Sequence, residues 1–248
     1  MPLDMVGQGA SDTLEVKKRK GRPLRLWADA GWMFGIHGIE FFRDYKRLLN
    51  GPASTFDVPT SVRGGMSAFL SSDVATGLQV GYHRAVIRET YLYQPFGADT
   101  LTRARQTTSQ NITSTTIPVL LTFALHPRFR QFVTYVGGGL GLNIGTFVWE
   151  EGLSTSQAVG ARTSGLRYDD THINLAAIVR AGMSLGWDRA LGESTGGALH
   201  IEVSYTYAPL SGPLFASVGA GIGKPVDAVY TIQTGGVGLH CGVSIYLR

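Results

Sequence analysis

The sequence predicts an all-β fold, namely an eight-stranded antiparallel up-and-down transmembrane β-barrel. From Val237 to Leu247 every odd position is apolar, whereas the positions between are mostly small or polar. This period of two is typical of a strand with one apolar face. Charged residues make up only 16% of the chain, against about 25% in soluble domains. No segment approaches the roughly 20 consecutive apolar residues of a transmembrane helix, so a membrane protein with this sequence would be a closed barrel.

The first strands are predicted from the same alternation. Strand one runs from about Leu24 to Gly38, with apolar even positions and with charges such as Asp29 on the other face. The long loop that follows contains a short amphipathic helix from Glu40 to Leu49. Strand two covers about Gly65 to Ser71, with its even positions directed outward.

Strand three begins near Gly77, after a short turn at Ser72–Asp73. Its outward positions are apolar as far as Tyr82, but Arg84 and Arg88 keep the same phase. Two explanations are open: either the strand has left the hydrocarbon at Arg84, or a β-bulge resets the register there.

Strands four and five form the middle of the chain. Strand four covers about Thr113 to Leu125, in spite of Pro118, which cannot donate to a strand ladder. His126 to Arg128 is expected to form a tight turn. Strand five covers Phe132 to Val148, and its inward glycines are expected to leave lumen space for bulky neighbours: Gly137, Gly139 and Gly141.

The last three strands alternate most clearly and cover about Ile173–Trp187, Leu199–Tyr207 and Val237–Leu247. A hairpin around Ala190 to Glu193 would bring Arg180 and Glu202 nearly opposite each other, both facing inward. Cross-strand neighbours on one face have Cβ atoms about 4.5–5.5 Å apart. We therefore expect a charge-assisted pair between these two side chains.

The connections alternate in length, which predicts short periplasmic turns and long external loops. Short turns lie near Ser72, His126 and Gly192, and long loops lie near Gly51, Leu101, Gly160 and Val218. Outward aromatic residues are expected to form a girdle at each interface with water. These are Trp32, Phe34, Tyr205 and Tyr207 toward the loops, and Phe123, Phe132 and Trp187 toward the turns.

Two domains are expected: a disordered basic tail over residues 1–23 and the barrel over residues 24–248. The tail carries a basic run from Lys17 to Arg22, but no aromatic residues interleave for base stacking, so nucleic acid is not an expected partner. Met1 to Glu15 lacks the apolar core of a signal peptide. We therefore expect that a signal was removed from this sequence or that its start is misassigned.

Two segments carry a resemblance to a known family. Ile117 to Leu121 reads IPVLL and, after a short turn, Tyr135 to Leu142 reads YVGGGLGL. This pattern resembles the small outer-membrane β-barrel family of Gram-negative bacteria, which includes the barrels of outer-membrane proteins A and X and the PorT-like proteins. The resemblance covers about residues 24–248. It implies an eight-stranded barrel in the bacterial outer membrane, without enzymatic activity.

Polar inward residues are the candidate site. His200, Glu202 and Ser204 share one strand face, but such neighbours are about 6.5–7 Å apart, too far for a relay without a partner from another strand. We expect them to fill the lumen, in a polar cluster that contains Asp29, Arg180, His200, Glu202, Ser204 and His240. The six histidines lie on separate elements without metal-ligand spacing, so no catalytic, cofactor-binding or metal residues are predicted.

The predicted function is that of a non-enzymatic outer-membrane barrel with a structural, anchoring or loop-mediated interaction role. Its expected partners are outer-membrane lipid and a protein or surface ligand bound by long loops, such as Leu210 to Asp227. Two alternatives stay open. One is a lipid-modifying acyl hydrolase or transferase of the outer membrane. The other is a soluble calycin-type barrel that binds a small apolar ligand, with its apolar face inward.

Overall fold

The computed structural model describes residues 24–35, 60–93, 106–129, 132–153, 167–187, 195–211 and 231–247. The strands of the barrel are β1 (Leu24–Phe34), β2 (Thr60–Phe69), β3 (Val74–Tyr93), β4 (Gln106–Leu125), β5 (Phe132–Leu153), β6 (Arg167–Trp187), β7 (Thr195–Tyr207) and β8 (Gly236–Leu247). The expected tail, the helix at Glu40 to Leu49 and most of the long loops lie outside the described residues. Within the described ranges, no helix is long and apolar enough to cross a membrane.

Each strand pairs antiparallel with the next one along the chain, and β1 pairs with β8. The closing ladder runs from Leu24 opposite Leu247 to Phe34 opposite Val237. Every strand therefore has two hydrogen-bonded neighbours, and the sheet has no open edge. The predicted eight-stranded up-and-down barrel is confirmed.

The predicted faces of the strands are also confirmed. Leu121 and Leu140 expose 72% of their surface on the outside, and Leu175 exposes 75%. Charged and hydroxyl side chains on the other face are buried inside the barrel. This arrangement is the reverse of a calycin-type barrel, in which the apolar face would line the cavity.

Exposed aromatic residues lie at both ends of the apolar belt. Trp32, Phe34, Tyr205 and Tyr207 are about half exposed at the ends of β1 and β7 that lead to the long loops. Phe123 is exposed near the turns. The side chains of Phe132 and Trp187 lie outside the described residues.

The register of β3 against β4 has the same offset from Val74 opposite Leu125 to Tyr93 opposite Gln106. The strand therefore contains no bulge, and Arg84 and Arg88 point outward and are exposed. A β-bulge is therefore excluded as the explanation, and the departure of the strand from the hydrocarbon at Arg84 stays a prediction. The ladder is interrupted only opposite Ile117 and Pro118, where proline lacks the N–H group that pairing requires.

Several strands are longer than the sequence predicts. β2 begins at Thr60, β4 at Gln106 and β6 at Arg167, whereas β5 continues to Leu153. The extensions of β4, β5 and β6 lie above the membrane, where apolar residues no longer alternate regularly with polar ones, whereas the added part of β2 ends in Gly64, which has no side chain to mark a face. The pattern of apolar residues therefore located the belt and missed the strand ends above it.

The expected tight turn at His126 to Arg128 is wrong. Arg128 and Phe129 pair with Val133 and Phe132, so the two strands are still paired beyond Arg128. The His126 amide donates to the carbonyl oxygen of Asp73 at 2.7 Å. This bond ties the segment to the neighbouring turn, so the hairpin extends beyond His126 before it reverses.

A short ribbon continues β7 and β8 at the loop end, where Pro209–Ser211 pairs with Thr231–Gln233. Leu210 and Ile232 are fully buried, and the Leu210 side chain occupies the space that a Cβ atom on Gly145 would need. The ribbon therefore turns an apolar surface toward the lumen. Leu210, which was expected to start a contact loop, lies inside the protein.

Candidate functional site

Arg63 of β2 is the centre of the polar lumen. Its Nε and Nη2 donate to the two carboxylate oxygens of Asp29 on β1 at 2.9 and 2.8 Å. The two side chains are only 1% and 0% exposed. This two-pronged geometry is the strongest form of a charge-assisted hydrogen bond between side chains.

The same guanidinium also reaches β7 across the lumen. Nη2 lies 2.8 Å from Oε1 of Glu202, and Nη1 donates to Oγ of Ser204 at 3.2 Å. Arg63 thus connects β1, β2 and β7, and the two carboxylates share its charge. A buried arginine without such partners would be strongly destabilising.

Glu202 has a further partner, because the hydroxyl of Tyr135 donates to its Oε2 at 2.9 Å. Gly182 lies between them in the sheet, opposite Tyr135 on one side and opposite Glu202 on the other. A Cβ atom on Gly182 would come within 2.6 Å of the Tyr135 hydroxyl. Glycine at this position lets the ring cross β6 and reach the carboxylate.

Arg180 lies near Glu202 but is not its main partner. Arg180 is opposite Ser204 in the register, and Gly182 is opposite Glu202, so Arg180 and Glu202 are diagonal neighbours two residues from direct pairing, and their side chains still form the expected ion pair. Arg180 Nη1 lies 3.8 Å from Glu202 Oε2 and donates to Gln79 Oε1 at 3.1 Å. Its guanidinium also stacks on the ring of Trp27, 5.5 Å from the centroid.

Two histidines border this cluster. His200 Nε2 lies 3.5 Å from Oδ2 of Asp29, and His240 Nε2 lies 2.9 Å from Oγ of Ser61. Among the described residues, the Nδ1 atoms of both rings lack a hydrogen-bond partner. Both rings are 2% exposed, so they face neither lipid nor bulk water.

A second layer lies nearer the turns. The guanidinium of Arg25 is 5.5 Å from the centroid of Tyr135 and 6.0 Å from that of Tyr246. Phe69 and His126 pack beside these rings. Cation–π contacts of this kind compensate a partly desolvated cation without a carboxylate.

The described lumen lacks the arrangement that acyl transfer requires, which is a hydroxyl, an imidazole and an orienting carboxylate in sequence. Ser204 contacts Arg63 instead of a histidine. Ser61 does contact His240, but Nδ1 of that ring has no carboxylate partner in the described part of the chain. The same residues contain no group of three or more side chains that could hold a metal ion.

All six predicted cluster residues have buried side chains in the lumen. The structure brings Asp29, Glu202 and Ser204 to Arg63 and places His200 beside Asp29, whereas Arg180 and His240 contact Gln79 and Ser61 more closely. Sequence reasoning missed Arg63 and Tyr135. Arg63 was outside the predicted limits of strand two, although its odd position shares the inward phase of that strand.

The closed sheet, the apolar exterior and the buried charges inside define a transmembrane β-barrel of the small eight-stranded type found in bacterial outer membranes. No protein-family model and no curated protein matches the chain.

Solved structures of small outer-membrane barrels align over most of the chain at low identity. Neisserial surface protein A is 11% identical, covers 91% of this chain and 96% of its own, and has a TM-score of 0.37. Ail, the attachment invasion locus protein of Yersinia pestis in complex with the heparin analogue sucrose octasulfate, is 11% identical, with coverages of 91% and 97% and a TM-score of 0.33. The translocator domain of the autotransporter NalP from Neisseria meningitidis is 10% identical, with coverages of 93% and 90% and a TM-score of 0.30.

Proposed function

We propose that this chain is a non-enzymatic, non-conducting outer-membrane barrel that serves as a rigid anchor for its external loops. The observation that carries the proposal is the link formed by Arg63, which joins Asp29 on β1 to Glu202 on β7 across the lumen. A barrel of eight strands has an interior just wide enough for side chains to fill. Side chains that are cross-linked there obstruct solute passage and hold the wall in a fixed shape.

The loop end supports the same proposal. Leu210 and Ile232 are fully buried on the ribbon that continues β7 and β8, so an apolar cover lies above the charged layer. Binding partners in solution would then meet the outside of the loops and not the lumen. The expected partners are therefore outer-membrane lipid around the belt and a protein or surface ligand at the loops.

The experiment is reconstitution into planar lipid bilayers after refolding in detergent. The folded protein is first identified by heat-modifiable migration on a gel and by extraction from membranes only with detergent. We expect folded protein that inserts without producing a steady conductance. Stable single-channel currents would contradict a filled lumen, and extraction into buffer without detergent would contradict the membrane location.

Lipid modification is tested in the same vesicles. If the protein is not an enzyme, lipids recovered after prolonged incubation have unchanged acyl chains. Ser204 accepts a hydrogen bond from Arg63, and Ser61 lies within hydrogen-bond distance of His240. Loss of an acyl chain that is abolished by replacing Ser61 or Ser204 would refute the non-enzymatic role.

A further inference from the structure

Charged residues are rare on the outward face of the barrel. Among the outward positions of the eight described strands they are Arg84, Arg88, Glu150, Arg167 and Asp169. All five lie toward the loop end of their strands. A charged side chain on the lipid face is costly near the midplane and much less so near the interface, so their shared location marks the edge of the hydrocarbon.

The outward charges on β5 and β6 are of both signs, with two acidic residues and one arginine. Arg167 Nη1 lies 3.0 Å from Oε1 of Glu150, and Asp169 occupies the next outward position on β6. No acidic residue occupies an outward position of the described β1 to β4. Within the part of the chain that the structure describes, Arg84 and Arg88 on β3 therefore form a basic site without an outward acidic neighbour on β1 to β4, which we call the β3 arginine site.

The height of this site follows from strand geometry. Val74, Leu78 and Tyr82 lie at outward positions between the turn and Arg84. Ten residues separate Val74 from Arg84, which is about 33 Å along a strand and about 25 Å along the membrane normal at a tilt near 40°. An outer-membrane belt is about 25 Å tall. Arg84 thus lies at the upper edge of the hydrocarbon, and Arg88 lies about 10 Å higher at the same tilt.

The neighbours of the two arginines supply hydrogen-bonding groups without negative charge. Arg84 is opposite Thr60 on β2 and opposite Thr115 on β4, and Arg88 is opposite Asn111 on β4. Both guanidinium groups are on exposed residues. The threonine hydroxyls, the asparagine amide and the two guanidinium groups can all donate hydrogen bonds. Donors at this height are suited to binding an anionic lipid head group.

We propose that the β3 arginine site binds the phosphate groups of an outer-leaflet lipid. This inference rests on the proposed outer-membrane location, and it specifies phosphate as the lipid group that the β3 side of the barrel binds. A guanidinium group binds phosphate through two parallel hydrogen bonds, which the ammonium group of lysine cannot reproduce. Acyl chains of the same lipid would lie against the apolar belt below, where Tyr82 is 44% exposed.

The test is titration of the folded protein in detergent micelles with diphosphorylated lipid A, measured by native mass spectrometry. We expect the variant Arg84→Gln/Arg88→Gln to bind about tenfold or more weakly than the wild type, since two charge-assisted contacts are lost. The matched control is Arg167→Gln, which removes an outward arginine that already has a carboxylate partner. We expect its affinity to stay within about twofold of the wild type.

The variant Arg84→Lys/Arg88→Lys separates charge from geometry, and it should retain part of the affinity because lysine keeps the charge without the fork. Equal affinity of the wild type and the double glutamine variant would overturn the proposal, as would an equal loss in the Arg167 control. Heat-modifiable migration of each variant shows that the barrel is folded, so a binding failure is distinguishable from misfolding.

Two further titrations identify the source of the phosphate. Inorganic phosphate in excess and a heparin oligosaccharide are each added in competition with the lipid. We expect neither to displace it, because the acyl chains add contacts with the belt. Displacement by inorganic phosphate would make this a free-anion site, and displacement by heparin would make it a polysaccharide site. In either case the lipid proposal is refuted, while a folded barrel that extracts only with detergent would leave the proposed function standing.

Discussion

Removal of Arg63 is the perturbation with the largest expected effect on the lumen. One oxygen of Asp29 and one of Glu202 each lie 2.8 Å from the same Nη2 atom, so these oxygens are no more than about 5.6 Å apart. In the variant Arg63→Met the two carboxylates face each other without their cation. At an effective dielectric constant of about 20 their repulsion is about 3 kcal/mol, and a buried pair that loses one partner typically costs about 3–5 kcal/mol.

The assay is urea unfolding in detergent, followed by heat-modifiable migration and by intrinsic fluorescence. We expect Arg63→Met to lower the free energy of unfolding by about 3–5 kcal/mol. Addition of Glu202→Gln should recover part of that loss, because it removes one of the two uncompensated charges. The matched control is Arg167→Met, whose ion pair with Glu150 is solvent-exposed and should be worth less than about 1 kcal/mol.

Strict additivity of Arg63→Met and Glu202→Gln would refute the reasoning, because it would mean that the two side chains do not interact in the folded protein. A loss in the Arg167 control as large as that in Arg63→Met would refute it as well. That result would show that the cost arises from removal of any arginine and not from a buried network.

Three other tests examine separate parts of the structure by the same unfolding assay. A double-mutant cycle with Arg180→Met and Glu202→Gln should give a coupling of about 1–3 kcal/mol, since the two charges are buried and 3.8 Å apart; strict additivity would show that they do not interact. Gly182→Ala should cost about 1–3 kcal/mol because the added Cβ meets the Ile201 carbonyl oxygen and the Tyr135 ring, and Tyr135→Phe should then have little further effect. Val179→Arg should cost about 2–4 kcal/mol at the midplane of the belt; an unchanged stability would show that Val179, 62% exposed, does not face lipid.

The sequence predicted the faces of the strands because only one physical constraint decides them. A strand between lipid and lumen must alternate, so Leu175 and Val179 face outward and Arg180 faces inward whatever the rest of the chain does. The strand ends follow a weaker rule. Above the belt the outward face meets water while Ile112 and Trp149 are buried on the inward face, so apolar residues no longer mark the outward face, and the mostly polar extension of β4 from Gln106 alternates little.

The alternation of apolar and polar residues along each strand did not predict the contacts across the lumen. Arg63 precedes Gly64 and Gly65, which have no side chains to mark a face, so the apolar signal of β2 began after it. Its contact with Glu202 joins β2 to β7, which are separated by β1 and β8, and only the curvature of the closed sheet brings them together. The offset between Arg180 and Glu202 depends on where the turn between β6 and β7 is centred, and a difference of two residues there changes the partner.

The most direct test of the account is the environment of Cys241, the single cysteine of the chain, which is exposed on the outside of β8. A spin label is attached to Cys241 in reconstituted vesicles, and a second is attached to Ser244→Cys in a Cys241→Ala background, because Ser244 faces the lumen and is 1% exposed. If the apolar face of the barrel meets lipid, the label at Cys241 is accessible to oxygen and shielded from polar relaxation agents, whereas the lumen label is shielded from both. Accessibility of Cys241 to polar agents equal to that of a loop would contradict the transmembrane barrel.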